Sequence, residues 1–216
     1  MLTGLVTSLS LDRSAYKCYF PRMAKVSSAR EDMLSAAVEL FRARGYEGVG
    51  VAELLQKSGA PRGSLYFHFP GGKEQIGAEV VERVGVEVAR RFRELGESGC
   101  DMHTFIERVF KTTAKECRER DYKASCPMAA IAAGVSSDNP KLQAAIREAF
   151  ESWEREIAAA AEARGMSKKN AETFASSFLA AMEGAFVVSK AQASSAAHLN
   201  ASRAMQALAT ALLAPS

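Results

Sequence analysis

Arg62, Ser64, Tyr66 and His68 occupy alternate positions of one short segment, and Lys73 follows five residues later. Together they present a guanidinium, a hydroxyl, a phenol, an imidazole and an ammonium. Pro61 and Gly63 stand between them and add no competing side-chain polarity. Such a set is equipped to donate hydrogen bonds to acceptor-rich or anionic surfaces. It is not equipped to break bonds. The chain holds three His (His68, His103 and His198), far apart in sequence. It shows no nucleophile elbow, no phosphate-binding Gly loop and no carboxylate pair at catalytic spacing. The four Cys (Cys18, Cys100, Cys117 and Cys126) form no CxxC pair and have no His at metal-ligand spacing, so neither a metal nor another cofactor is expected. An enzyme is not the expectation.

Charge locates the anionic partner. The 216-residue chain carries a net +3, but residues 1–75 hold ten Lys and Arg against seven Asp and Glu. Residues 76–216 hold eighteen of each, so the whole excess is N-terminal. With 48% hydrophobic and 25% charged residues the chain is a folded one, long enough for one or two cores. No stretch reaches the ~20 apolar residues of a membrane span. The first residues lack a basic region and cleavage site of the secretory kind, so free thiols and a cytoplasmic setting are expected. Residues 1–26 are expected to form an N-terminal extension. Met23 opens a stretch resembling a natural start, so residues 1–22 are expected either to form a disordered extension carrying Arg13, Lys17 and Arg22 or to precede the true initiator.

The elements that must position the donors are all helices. Ser27 or Ser28 can cap a first helix, with Glu31 and Asp32 in its opening turn. Leu34, Ala37, Val38 and Phe41 follow at helical spacing until Gly45. A second short helix runs over about 51–58 and a third over 62–67, separated by Gly59, Ala60 and Pro61. That is helix-turn-helix spacing, placed at about 50–69. A long amphipathic helix begins at Lys73 and ends at 96–99. Further helices are expected over 102–120, 126–135, 140–164, 168–193 and 196–213, about nine in total. No alternation of the β kind appears. The fold class is all-α.

The ordered residues AAVELFRARGYEG (36–48) and AELLQKSGAPRGSLYFHFPGGKEQI (52–76) carry a specific resemblance. Residues 29–75 resemble the DNA-binding domain of the TetR/AcrR family of transcriptional repressors. The stretch Gly-Ala-Pro-Arg-Gly-Ser-Leu-Tyr (59–66), with Phe-Pro-Gly-Gly-Lys-Glu (69–74), is similar in particular to the LmrA/YxaF-like subgroup. The resemblance implies a DNA-binding domain at 27–75 and a ligand-binding, dimerising domain at 76–216.

Physics assigns compatible roles. A helix fits the major groove, where its first residues meet base edges. Those residues are Pro61, Arg62 and Ser64, with Gly63 permitting close backbone approach. Arg62 can bridge the two acceptors of a guanine or bind a phosphate. Tyr66 and His68, by their family positions, reach phosphate oxygens, with packing roles as the alternative. Lys73, in the first turn of the long helix, would draw a phosphate. The family usually has a Thr or Ser pair before the second helix; here Val49-Gly50 leaves only the backbone N–H of Gly50 for that contact. Leu65, Phe67 and Phe69 are expected in the core. Arg90, Arg91 and Arg93 read as a solvated face.

For the C-terminal part the resemblance implies a homodimer, its last two helices forming a four-helix bundle across a two-fold axis. It also implies an inducer pocket, for which the long helices offer Phe105, Phe110, Cys117, Met128, Trp153, Phe178, Met182 and Phe186. Cys117 and Cys126 are either thiol sensors or small buried hydrophobes. The expected partners are a double-stranded, pseudo-palindromic DNA operator and a small, apolar effector, with no membrane.

Overall fold

The computed structural model describes residues 29–213. The expected caps Ser27 and Ser28, the 1–26 extension and Cys18 lie outside the described residues. The first helix, α1, spans Ala29–Arg44, with Glu31 and Asp32 at its positive end and Arg42 and Arg44 at its negative end. Gly45 stops it at φ +73°, its N–H bonding the Phe41 carbonyl at 2.8 Å. Next come α2 (Val51–Ser58), α3 (Ser64–His68) and the long α4 (Gly72–Glu97). Helix α5 (Met102–Glu119) is capped by Asp101, which accepts the Thr104 N–H at 2.9 Å.

Helix α6 covers only Pro127–Ala132, shorter at both ends than the sequence suggested. Pro127 has no N–H and so starts the helix, while Ala132 to Gly134 already tighten into a turn, Gly134 N–H bonding Ile131 at 3.1 Å. Helices α7 (Pro140–Glu162), α8 (Lys168–Gln192) and α9 (Ala196–Leu213) complete the order. Among the described residues there are nine helices and no strand.

The core runs unbroken through the chain. Rings of Phe92, Phe105, Phe110, Trp153, Phe174 and Phe178 meet at centroid distances of 5.1 to 6.4 Å, joining α4, α5, α7 and α8. Helix α8 is long and apolar enough by composition to cross a bilayer, but its Phe174, Phe178, Met182 and Phe186 are buried in this core.

The most extensive helix pairing among the described residues is α4 on α7, and small residues let the two approach. A Cβ on Gly85 would lie 2.8 Å from the Cβ of Ala149, and one on Gly96 3.2 Å from that of Ala160. Beside Gly85, the indole N–H of Trp153 donates to the Gly85 carbonyl at 2.9 Å. A Gly85→Ala variant should therefore lose stability by about 1–2 kcal/mol in a urea melt. Overpacking two rigid backbones outweighs the ~1 kcal/mol that Ala gains over Gly inside a helix.

Polar links fasten α1 to α4 and α5. Arg83 grips Glu31 with both guanidinium nitrogens, the second at 2.7 Å, and Arg30 reaches Glu79 at 2.6 Å. Arg42 is buried and pairs with Glu116 of α5. Its Nε also donates to the Ser125 carbonyl at 3.3 Å, and Ser125 returns its N–H to the Arg42 carbonyl. Arg90 and Arg91 pair with Glu87 on the exposed side of α4, and Arg93 with Glu156 of α7.

Candidate nucleic-acid interface

Helices α2 and α3 are short, so their geometry depends on the joint and the core beneath. Gly59 ends α2 in the left-handed region at φ +69°, a conformation natural to Gly. The Ser58 hydroxyl donates to the Leu55 carbonyl and accepts the Ala60 N–H, locking the joint. Pro61 to Gly63 then make a turn closed by the Ser64 N–H and hydroxyl on the Pro61 carbonyl, at 3.0 and 2.7 Å. Helix α3 accordingly starts at Ser64 instead of 62.

Leu65 and Phe69 lie on the inner face of this segment and are fully buried, with the Arg30 guanidinium 5.0 Å from the Phe69 ring centroid. Phe67 does not join them. It is 81% exposed, contrary to the expectation that it belongs to the core. The reason is rotational: residue i+2 stands about 200° around a helix from residue i, so Leu65 and Phe67 cannot share a face.

The outward surface gathers most of the expected donors. Pro61, Arg62 and Gly63 are exposed, Ser64 and His68 half-buried, and Tyr66 is 65% exposed. Among the described residues the Arg62 side chain has neither an ion pair nor a hydrogen bond, unlike Arg44 and Lys57 nearby, which pair with Glu53 and Glu39. The Tyr66 ring lies over Gly72, where a Cβ would come within 3.5 Å of it. Gly72 itself has φ +61° and turns the chain into α4. Lys73, half-buried in the first turn of α4, sets its ammonium 4.1 Å from the Tyr46 ring centroid, a cation–π contact that ties the helix start to the turn after α1. Gly50 is exposed at the N-cap of α2 without a side-chain cap.

Gly63 is informative because nothing among the described residues needs it. Its φ is −79° and an added Cβ would meet none of their atoms within 4 Å.

The eight expected effector-contact residues are all buried. Phe105, Phe110, Trp153 and Phe178 belong to the aromatic cluster, while Cys117, Met128, Met182 and Phe186 lie elsewhere in the same core. The Phe186 ring stands edge-on to His198 at 5.0 Å. His198 is wholly buried, shares a 2.8 Å hydrogen bond with Ser189, and is pushed down to about 4 by burial. Burial pushes the Cys117 thiol up to about 11 and Cys126 well up, so both stay protonated and favour the small-hydrophobe reading over the sensor one. Sequence reasoning gave no role to Glu183 of α8, whose two carboxyl oxygens are buried without a nitrogen or oxygen partner among the described residues. Burial pushes it up to about 7, against the hydrogen bond from Cys126. A separate groove of about 1270 Å³ opens between α4 and α7, with Glu74, Glu79, Lys141 and Glu148 among its walls, and holds none of the expected contact residues. Among the described residues no three His, Cys, Asp or Glu converge as a metal site.

Residues 33–80 match the family described as bacterial regulatory proteins of the tetR family. Residues 103–204 match the C-terminal domain described as transcriptional regulator LmrA/YxaF-like. The HTH-type transcriptional regulator LmrA of Bacillus subtilis (strain 168) is 31% identical over 161 residues, 74% of this chain and 86% of that one. The HTH-type transcriptional repressor NemR of Escherichia coli (strain K12) is 37% identical over 70 residues, covering 32% of this chain and 35% of NemR. A TetR transcriptional regulator from Legionella pneumophila superposes with a TM-score of 0.75 at 15% identity, over 84% of this chain and 97% of that one, a likeness of fold alone. Fold and outward donor face together define a helix-turn-helix DNA-binding regulator of transcription. The chain belongs to the TetR family, with a C-terminal domain of the LmrA/YxaF-like kind.

Proposed function

We propose that the protein is a homodimeric repressor that holds a pseudo-palindromic operator and leaves it when a small, largely apolar effector binds. Residues 27–75 form the DNA-binding unit and 76–216 the effector-binding and dimerising one. The observation that carries the reading is the outward face of α3 and the turn before it: among the described residues Arg62 has no intramolecular partner and Gly63 no neighbour that a Cβ would meet, and Tyr66 is turned outward. Arg62, Pro61 and Ser64 meet base edges. Tyr66, His68, Lys73 and the N–H of Gly50 meet phosphates. The setting is the cytoplasm, where the DNA is.

Dimerisation is supported by an unpartnered apolar surface. Val187, Val188 and Leu199 are exposed on α8 and α9, next to the bare Gly184. Joining two copies there buries this surface and sets two recognition helices at successive major grooves, ~34–36 Å apart. The repressor sign follows NemR, a repressor by name, which is 37% identical over 70 residues. Phe105, Phe110, Cys117, Met128, Trp153, Phe178, Met182 and Phe186 line the effector's place. They are buried together, so an effector must part the helices that carry them. It can shift the dimer only by its difference in affinity for the two arrangements.

Two substitutions test the division of labour on DNA. Arg62→Ala should cost about 1–3 kcal/mol on the preferred sequence and relax preference at one base pair, whereas Lys73→Ala should weaken all sequences alike and lower the salt slope by about one. Competition gel-shifts over a range of salt measure both. Equal effects of the two substitutions on sequence preference would remove the base-reading role of Arg62.

A further inference from the structure

Phe67 presents a problem that the other outward residues do not. Its neighbours on the outer surface, Arg62, Tyr66 and His68, carry groups that water solvates or phosphate accepts. Phe67 carries none, yet at 81% it is the most exposed large hydrophobic among the described residues. A phenylalanine ring has some 150–250 Å² to bury, and leaving it in water forgoes much of that gain. The ring is also held in place. Leu65 and Phe69 are fully buried on the opposite side, so α3 cannot roll to hide it. The His68 ring stands against it edge-on at a centroid distance of 5.0 Å.

We infer that Phe67 reads sequence by packing on the C5-methyl group of a thymine in the major groove. The inference rests on the DNA-binding function proposed above and adds a specific contact to it. The chemistry selects the methyl group. Phosphates and sugars offer a bare ring no hydrogen bond, and base edges in the groove are polar except at the thymine methyl, for which Phe is a fitting apolar partner. The minor groove, ~6 Å wide, does not admit a helix, whereas the major groove does. Phe67 lies on the same five-residue helix as Tyr66 and just beyond Arg62, so a helix placed for Arg62 to meet a base edge brings Phe67 to a neighbouring base pair. Arg62 would then favour guanine and Phe67 thymine, two apposed preferences from one helix.

Deoxyuridine isolates the methyl, since it differs from thymidine in that group alone. The experiment measures binding of the full-length protein to the DNA fragment footprinted upstream of its own gene. Each thymine of the protected half-sites is replaced in turn by deoxyuridine, symmetrically in both halves. The wild type should lose about four-fold per methyl at one thymine position, hence roughly 15-fold for the pair, and be indifferent at the others. Phe67→Ala should bind the thymine fragment correspondingly more weakly and no longer distinguish it from the deoxyuridine one. Phe67→Leu, still apolar, should retain part of the distinction. Equal wild-type affinity for both fragments at every position overturns the inference, as does discrimination that survives in Phe67→Ala. Loss of thermal stability in Phe67→Ala, or loss of dimer with DNA binding intact, also overturns it by giving the ring a structural or protein-contact role. Failure to form any sequence-specific complex overturns the DNA-binding proposal itself, a result distinct from loss of the methyl effect alone.

Discussion

Arg42→Ala should lower the stability of the folded chain by about 3–5 kcal/mol, a large part of the 5–15 kcal/mol that folded domains possess. Arg42 is almost wholly buried and its partner Glu116 is 13% exposed. Removing the guanidinium leaves a poorly solvated carboxylate with only the longer contact to Arg120, at 3.8 Å, and takes a donor from the Ser125 carbonyl. The pair itself is not expected to be worth that much. Much of its Coulombic attraction is offset by desolvation, so the loss measures the cost of one poorly compensated charge. Replacing both members, Arg42→Met with Glu116→Leu, should recover most of the loss. Urea and thermal unfolding of the wild type and the two variants tests this. A fall in Tm on the order of 10 °C is expected for the single change, and a double variant as unstable as the single one would refute the account. The position adds interest, because Arg42 belongs to α1 and Glu116 to α5: the pair joins the DNA-binding unit to the body of the protein.

The second large effect is a pH dependence centred on Glu183. In the folded chain its carboxyl titrates at about 7 instead of 4.5, because burial disfavours the charge. The nearby Glu116 charge acts in the same direction, and the Cys126 hydrogen bond offsets part of the rise. A raised carboxyl means that the native state holds its proton more tightly than the unfolded chain does. Stability from this group is therefore complete below about pH 4.5 and is lost as pH rises through about 7. Glu183→Gln mimics the protonated form at every pH. Relative to the wild type, the variant should gain roughly 2–3 kcal/mol between pH 5 and pH 8. His198 behaves oppositely, being pushed down to about 4, so its contribution is lost as pH falls towards that value. It is present in both proteins and cancels from the comparison. Paired denaturant melts at the two pH values decide the matter. A difference that stays constant would show that Glu183 is ionised in the native state throughout.

These two residues also show where sequence reasoning ends. Most helix limits were legible, because Gly45, Gly59, Pro140 and the cap Asp101 act locally and are visible as letters. The end of α6 was not: the Ala-rich run after Pro127 has the composition of a helix, while the turn that closes it at Gly134 depends on where α1 and α6 meet. The donors of α3 were legible from residue type and spacing. Phe67 was misplaced because a short aromatic segment suggested a core, although its spacing from Leu65 and Phe69 already points it outward. The burial of Arg42 and Glu183 had no local signal. Arg42 meets a partner 74 positions away, and Glu183 is enclosed by a helix assembly that periodicity does not specify. The proposed effector contacts rest only on large apolar residues, which in a helical protein is also the description of its core.

The central claim is that two copies of this chain read a two-fold DNA site through α3. Footprinting of the purified protein on the DNA upstream of its own gene, at moderate salt, tests it most directly. The account predicts one protected pseudo-palindrome whose half-sites lie about 10 base pairs apart, or a small multiple of that, with protection lost in Arg62→Ala at wild-type stability. Binding without a protected sequence, or protection unchanged in Arg62→Ala, would contradict it.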